Sequence, residues 1–195
     1  MTATLLDRLA ERFQSAAVSV TPQTPLAVAL SGGVDSVMLL AAVHRLNPSA
    51  RLRCIHVDHQ LHQDSPQWAQ FCVGYAADLG VEITCLSVDI DARRDGLEAA
   101  AREARYGAIA QAMYPGELLL TAHHADDQLE TLLYRLVRGT GVAGLRGIRA
   151  VEAFGPGYLM RPFLNETRAT ILSEAQALGL RWLEVPTNEN PRFDR

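Results

Sequence analysis

Short apolar runs and helical stripes alternate along the chain. Leu26 to Leu30 is an apolar run of strand length, and Asp35 to Leu46 follows it at helical spacing, ending before Asn47-Pro48. Arg51 to Val57 alternates like a strand. Ser65-Pro66 then supplies an N-cap and a first-turn proline for a helix that runs to Leu79, with Gly80 at its C-terminus. Val81 to Val88 is alternating and β-branched and predicts a third strand. After the polar stretch Asp89 to Gly96, the Ala-rich segment Leu97 to Met113 predicts a helix. Leu118 to Ala122 reads as a fourth strand, and Asp126 to Val137 as a helix with acids at its start and Arg135 and Arg138 at its end. This order predicts an α/β fold, a doubly wound and mostly parallel sheet with helices on both faces. Ligands of such sheets bind at the carboxyl ends of the strands, which here means just after Leu30, Val57, Val88 and Ala122.

The pattern changes beyond Gly139. A glycine-rich loop to Gly147 leads to a predicted hairpin, Ile148 to Phe154 and Tyr158 to Phe163, turned by Gly155-Pro156-Gly157, and then to a helix from Glu166 to Leu178. Residues 1–150 are read as the main body and 151–195 as a hairpin-and-helix extension of the same domain. The polar stretch Pro186 to Arg195 closes on no terminating element, so a chain cut inside a longer one is expected.

Composition sharpens this in one respect. The 195 residues are 48% hydrophobic and 21% charged, with a formal net charge of -4, but all 18 basic residues are arginine. A Walker A loop, a pyridoxal Schiff base and a Ser-Lys dyad are thereby excluded, since each needs a lysine of the protein. A genome that favours Arg codons accounts for the bias. Cys54, Cys72 and Cys85 are an odd set without C-x-x-C spacing, each in an apolar stretch. They read as reduced core thiols of a cytoplasmic protein. The longest purely apolar run, Val37 to Val43, is too short to span a bilayer, so no membrane is expected among the partners.

The junction after the first strand carries the strongest chemistry. Leu26 to Leu30 runs into Ser31-Gly32-Gly33-Val34-Asp35-Ser36, and a helix starts at once. Two glycines allow positive φ and close backbone approach, two serines add hydroxyls, and the free amides of a helix N-terminus point at one spot. Such a pocket suits a phosphate or pyrophosphate. The carboxylate of Asp35 beside it is repulsive unless a cation intervenes, and Mg²⁺ bridging Asp35 and the phosphates reconciles the two. A glycine turn whose serines only cap a helix is the plain alternative.

In S-G-G-x-D-S the sequence resembles the ATP-pyrophosphatase family. The resemblance implies an adenine nucleotide alpha hydrolase-like (PP-loop) fold, with Ser31, Gly32, Gly33, Val34, Asp35 and Ser36 binding ATP. Gly139 to Gly144 also satisfies G-x-G-x-x-G, but it follows a helix end, whereas a dinucleotide fingerprint follows a strand.

A second constellation, Thr121-Ala-His123-His124-Ala-Asp126-Asp127-Gln128-Leu-Glu130-Thr131, opens the fourth crossover. With a helix beginning at His123, His123 and Asp127 share one face at the ligand edge. The acids could equally complement a helix dipole, and two His with two Asp could be metal ligands, without a third spaced His or a Cys to complete a zinc set. On the Ala-rich helix Arg102 and Arg105 are three apart and can face one ligand, or can form a solvated face with Arg102 against Glu98.

The run from Thr121 to Gly147, which contains HHADDQLETLLYRLVRGTGVAGLRG, is similar to the signature of the tRNA(Ile)-lysidine synthetase family. LEAAAREARY (Leu97 to Tyr106), HVDHQLHQDS (His56 to Ser65) and RPFL (Arg161 to Leu164) match further family segments in order; His62 and Val185 depart from its usual Arg and Asp. The resemblance implies a carbon–nitrogen ligase that uses ATP and Mg²⁺ and acts on free lysine and an isoleucine tRNA. It implies Asp35, Arg102, Arg105, His123 and Asp127 as catalytic residues, Asp35 also as the Mg²⁺ ligand, and His59, Asp126, Glu130 and Arg138 as substrate or tRNA contacts. A net charge of -4 lacks the basic footprint of an RNA binder, so strong tRNA affinity is expected to need C-terminal domains. Another ATP-pyrophosphatase, such as a tRNA thiolase or an amidating ligase, and a non-catalytic nucleotide-binding module of the same fold are the alternatives.

Overall fold

The computed structural model describes residues 3–18, 20–21, 23–46, 51–60, 62–88, 97–139 and 146–184. The polar stretch 89–96, most of the glycine-rich loop (140–145), Val185 and the stretch 186–195 lie outside them.

The elements follow in the order α1 (Leu5–Gln14), β1 (Leu26–Ala29), α2 (Val34–Leu46), β2 (Leu52–Asp58), α3 (Ser65–Asp78), β3 (Glu82–Ser87), α4 (Leu97–Ala112), β4 (Leu118–Leu120), α5 (Ala125–Val137), β5 (Val151–Phe154), β6 (Gly157–Met160) and α6 (Arg168–Ala177). Helix α1 is absent from the alternation expected above. Its signals are local: Leu5, Leu9 and Phe13 fall four apart and are buried, and Thr4 and Asp7 form a reciprocal capping box.

One six-stranded sheet has the order β3-β2-β1-β4-β6-β5. All neighbours are parallel except β5 and β6. The hairpin is shorter than expected, and its inner strand β6 joins the sheet beside β4, Leu118 pairing with Tyr158. Gly157 makes that approach possible, because a Cβ there would lie 2.0 Å from the Glu117 carbonyl oxygen. The chain leaves β1 towards β2 and returns on its other side as β4. Strand order therefore reverses between β1 and β4, and that switch point is where such sheets open a ligand crevice.

The two faces are covered unequally. Leu5 and Leu9 of α1, the almost fully buried α2, Cys72 and Ala76 of α3, and Ile171 and Ala175 of α6 pack against Leu26, Val28 and Leu30. On the other face Ile109 of α4, with Met113 after it, packs on Ala27, Ile55, Leu119 and Leu159. Each such leucine or isoleucine contributes roughly 1.5–3 kcal/mol on burial. Helix α5 buries no side chain completely, and Gly139 ends it with φ 70°. That glycine is a helix terminator following no strand, as its context in the sequence requires.

At the edge opposite the crevice, Arg53 of β2 and Glu117 ahead of β4 form a fully buried ion pair, with Nε to Oε1 2.7 Å and Nη2 to Oε2 2.8 Å. The guanidinium also donates to the Ala112 carbonyl and lies over the Tyr114 ring. No helix among the described residues is long and apolar enough to cross a membrane.

Candidate active site

The loop between β1 and α2 lies on the switch point and is braced from below. The Ser36 hydroxyl, 5% exposed, donates to the Gly33 carbonyl at 3.0 Å and accepts from the Ser31 amide at 3.2 Å. Ser31 itself is exposed, so one serine supports the loop while the other faces outward. His56 Nδ1 and Cys72 Sγ both meet the Leu30 carbonyl beneath. Gly32 takes φ +89°, and a Cβ there would lie 2.8 Å from Leu183, whose amide donates to the Gly32 carbonyl. Only glycine satisfies both demands. The amides of the first turn of α2 have no intrahelical acceptors, which leaves them available to an anion.

Asp35, in the first turn of α2, is half-buried, and its Oδ1 is buried without a hydrogen-bond partner. Oδ2 lies 3.9 Å from His124 Nε2 and 4.0 Å from Arg168 Nε. Burial pushes the carboxyl above its ordinary range; His124 and Arg168 oppose this, and Asp127 adds to it. His124 is 7% exposed and directs its other nitrogen to within 3.5 Å of both Asp126 Oδ2 and Asp127 Oδ2. Asp127 also accepts from the His124 amide at 2.8 Å, closing the first turn of α5. One imidazole thus stands among three carboxylates.

His123 has the opposite surroundings. Its Nδ1 pairs with Thr121 Oγ1 at 2.9 Å. Burial, followed by Arg161, Arg102 and Arg105, pushes it down to about 3, so the ring is neutral at ordinary pH. His59, at the end of β2, is lowered by burial and then by Arg105, and its Nδ1 is buried without a partner. The guanidinium carbons of Arg102 and Arg105 lie 4.9 Å and 5.5 Å from the centre of the Tyr106 ring. Arg161, 5% exposed at the end of β6, pairs with Glu152 at 2.7 Å and donates to the Arg149 carbonyl, leaving Nε buried and without a partner.

A glycine-and-serine loop on the switch point, with an unpartnered carboxylate oxygen at its mouth, sets the context for the comparisons. The model of the PP-loop domain family matches residues 3–195. The chain belongs to the PP-loop domain family. It is 44% identical over 183 residues to the tRNA(Ile)-lysidine synthase of Xanthomonas campestris pv. campestris (strain 8004), covering 91% of this chain and 42% of that relative. It is likewise 44% identical over 179 residues to the tRNA(Ile)-lysidine synthase of Alkalilimnicola ehrlichii, covering 89% of this chain and 40% of the relative. The chain thus spans about two fifths of the length of these curated relatives. The U34-tRNA thiolase NcsA from Methanococcus maripaludis shares the fold with TM-score 0.73 at 15% identity, over 92% of this chain and 64% of that one.

In this PP-loop domain the expected site residues fall into separate groups. Ser31 to Ser36, Asp126 and Asp127 gather on one side of the crevice, and His59, Arg102, Arg105 and His123 on the other. The expected pairing of His123 with Asp127 needs correction, because α5 begins at Ala125 and not at His123. His124 is extended, with φ -126° and ψ -177°, so successive side chains point to opposite sides. His124 therefore joins the carboxylates and His123 the arginines. Asp126 is exposed and accepts from the Arg168 amide at 2.9 Å, capping α6. Glu130 is exposed further along α5. Arg138 lies beyond the far end of α5, over the Tyr134 ring, and a 13-residue helix puts it about 20 Å from the α5 N-terminus. The side chain of Glu98 lies outside the described residues. Arg161, Glu166 and Arg168 are the site's unanticipated members. His124, a possible metal ligand from the sequence, takes the place beside Asp127 expected of His123.

Among the described residues no three His, Cys, Asp or Glu side chains form a ready metal cage. Mg²⁺ needs no such cage, since it takes one or two carboxylates and completes its shell with water and phosphate oxygens. The free Asp35 Oδ1 supplies such a carboxylate.

Proposed function

We propose that this PP-loop domain joins free lysine to C2 of the wobble cytidine of an isoleucine tRNA with a CAU anticodon, through an adenylated cytidine. Cytidine O2 attacks the α-phosphorus of ATP and pyrophosphate leaves; the lysine ε-amine then attacks C2 and expels AMP. The observation that carries this reading is the meeting of the Ser31–Ser36 loop, the Asp35–His124–Asp127 group and the Arg102–Arg105 pair at one switch point. The names of the matched relatives supply the substrate class.

The loop amides and the Ser31 hydroxyl bind the pyrophosphate oxygens. Asp35 holds Mg²⁺, which when bound neutralises phosphate charge. Asp127 orients the lysine ammonium. Arg102 and Arg105 stabilise the negative charge of the α-phosphate or of the tRNA backbone. His123 stays uncharged between them and offers Nε2, its nitrogen not engaged by Thr121, as a hydrogen-bond partner for the substrate. Positioning and fixed charge account for most of the expected rate gain.

The test supplies the chain with Mg·ATP, labelled lysine and a saturating CAU anticodon stem-loop, alongside the full-length Xanthomonas relative. Label transferred to RNA, with equimolar AMP, is expected. ATP binding without AMP formation, while the relative turns over, would overturn the reading.

A further inference from the structure

The acidic side of the crevice is held from behind by α1. Glu166, 5% exposed, lies between α1 and the segment that follows β6. Arg8 forks onto it, with Nε to Oε1 3.0 Å and Nη2 to Oε2 2.7 Å, and Arg12 Nη2 reaches Oε1 at 2.5 Å. Arg12 also donates to the Pro162 carbonyl. The Arg8 hydrogen bonds, and then those of Arg12, hold the carboxyl below its ordinary range against the effect of burial.

The backbone of the same residue reaches the site. The Glu166 carbonyl accepts from the amide of Ala125, the first residue of α5, at 2.8 Å, and its amide donates to the Phe163 carbonyl at 2.7 Å. Two residues on, the Arg168 amide donates to Asp126 and its Nε approaches Asp35 Oδ2 at 4.0 Å. The stretch from Glu166 to Arg168 therefore touches α5, Asp126 and Asp35 on one side, while its anchor is on the other. Two guanidiniums on one carboxylate exceed what neutralisation needs. A forked, bidentate contact fixes direction as well as charge. Burying such a cluster is weak evidence for a stabilising role alone.

We propose that Glu166 is a positioning residue: clamped by Arg8 and Arg12, it fixes where α5 begins and so where His124 and Asp127 stand relative to Asp35. The proposal rests on the reading of that group as the ATP-using centre.

The experiment compares Glu166→Gln with Glu117→Gln, which weakens the buried pair at the opposite edge of the sheet. Both are made in the full chain and measured for melting temperature, amide exchange, and kcat and KM for ATP in AMP formation. Both variants are expected to melt lower. Glu166→Gln alone is expected to speed exchange of the Ala125 amide at least about tenfold and to lower kcat about tenfold or more. Its KM for ATP stays within about threefold, since a displacement of an ångström at reacting groups costs up to about a hundredfold. Unchanged Ala125 exchange, or a fall in kcat matched by Glu117→Gln, would overturn the proposal. Should Glu166→Gln fail to fold, Arg12→Gln, which leaves the Arg8 fork in place, carries the same measurements. The exchange arm needs no turnover, so an inactive wild type together with a loosened Ala125 amide in Glu166→Gln would count against the ATP reading and leave the clamp standing.

Discussion

The two sides of the crevice carry opposite charge and are built by different means. On the face covered by α1, α2, α3 and α6, three carboxylates and His124 sit at the first turns of α2 and α5, where helix N-termini favour negative charge. On the face covered by α4, Arg102 and Arg105 lie over the Tyr106 ring, Arg161 is buried at a strand end, and two imidazoles are held neutral. A net charge of -4 for the whole chain averages over these halves and conceals both. The acidic half suits a metal-bound phosphate and an ammonium; the basic half suits phosphates that arrive without a metal. The sorting is incomplete: Arg168 approaches Asp35 on the acidic side, and Glu152 pairs with Arg161 on the basic side.

This contrast can be broken from either side. The largest effect is expected from Asp35→Ala, which should abolish AMP release, by about a thousandfold or more, while far-ultraviolet dichroism is unchanged. Wild-type turnover by that variant would remove Asp35 from the acidic half's chemistry. On the basic side Arg105→Gln should cost about a hundredfold in kcat/KM. Because Arg105 depresses both His59 and His123, NMR titration of this variant should show both imidazoles titrating at higher pH than in the wild type. Unmoved histidines would separate Arg105 from that half.

The smallest effect is on stability. His123 is lowered to about 3 from an ordinary 6.5, so between those values the unfolded chain binds a proton that the folded chain refuses. Stability contributed by the neutral ring is complete above about pH 6.5 and falls as the pH drops, by at most about 1.4 kcal/mol per pH unit. Glu166 acts in the same direction but lower: its pair is worth most above the ordinary glutamate range and is lost as the pH falls through its depressed value. His123→Asn should therefore flatten the melting curve between pH 6.5 and about 4 and leave the steeper acid loss below it. A wild-type profile in the variant would mean that the basic half does not burden the fold.

Much of this was legible in the sequence because it is local. The strand, loop and helix at Leu26 to Leu46, the crossovers and the ligand edge follow from periodicity, glycine and capping signals within a few residues of one another. The pairing of His123 with Asp127 required a helix beginning at His123; α5 begins at Ala125, one residue before the expected Asp126, and a start two residues later turns a side chain to the other face. Glu166 and Arg168 were hidden for a different reason. Their partners, Arg8 and Asp35, are more than a hundred residues away, and no spacing rule reaches that far. Helix α1 carried its own capping box and apolar stripe, but a strand-helix alternation gives such a helix no place until α6 is packed beside α2.

The tie between Arg8 and Glu166 joins positions 158 apart in the chain. Seen as a folding problem, this makes the acidic centre a late event. Loops β1 to α2 and β4 to α5 can form as soon as their strands pair, but Ala125 receives its acceptor only after Glu166 has been made and α1 has docked. A nascent chain emerging from the ribosome thus carries the Ser31–Ser36 loop for more than a hundred residues of synthesis before the centre that uses it is set. Nucleotide present during synthesis meets an assembled acidic half only after Glu166 has been made.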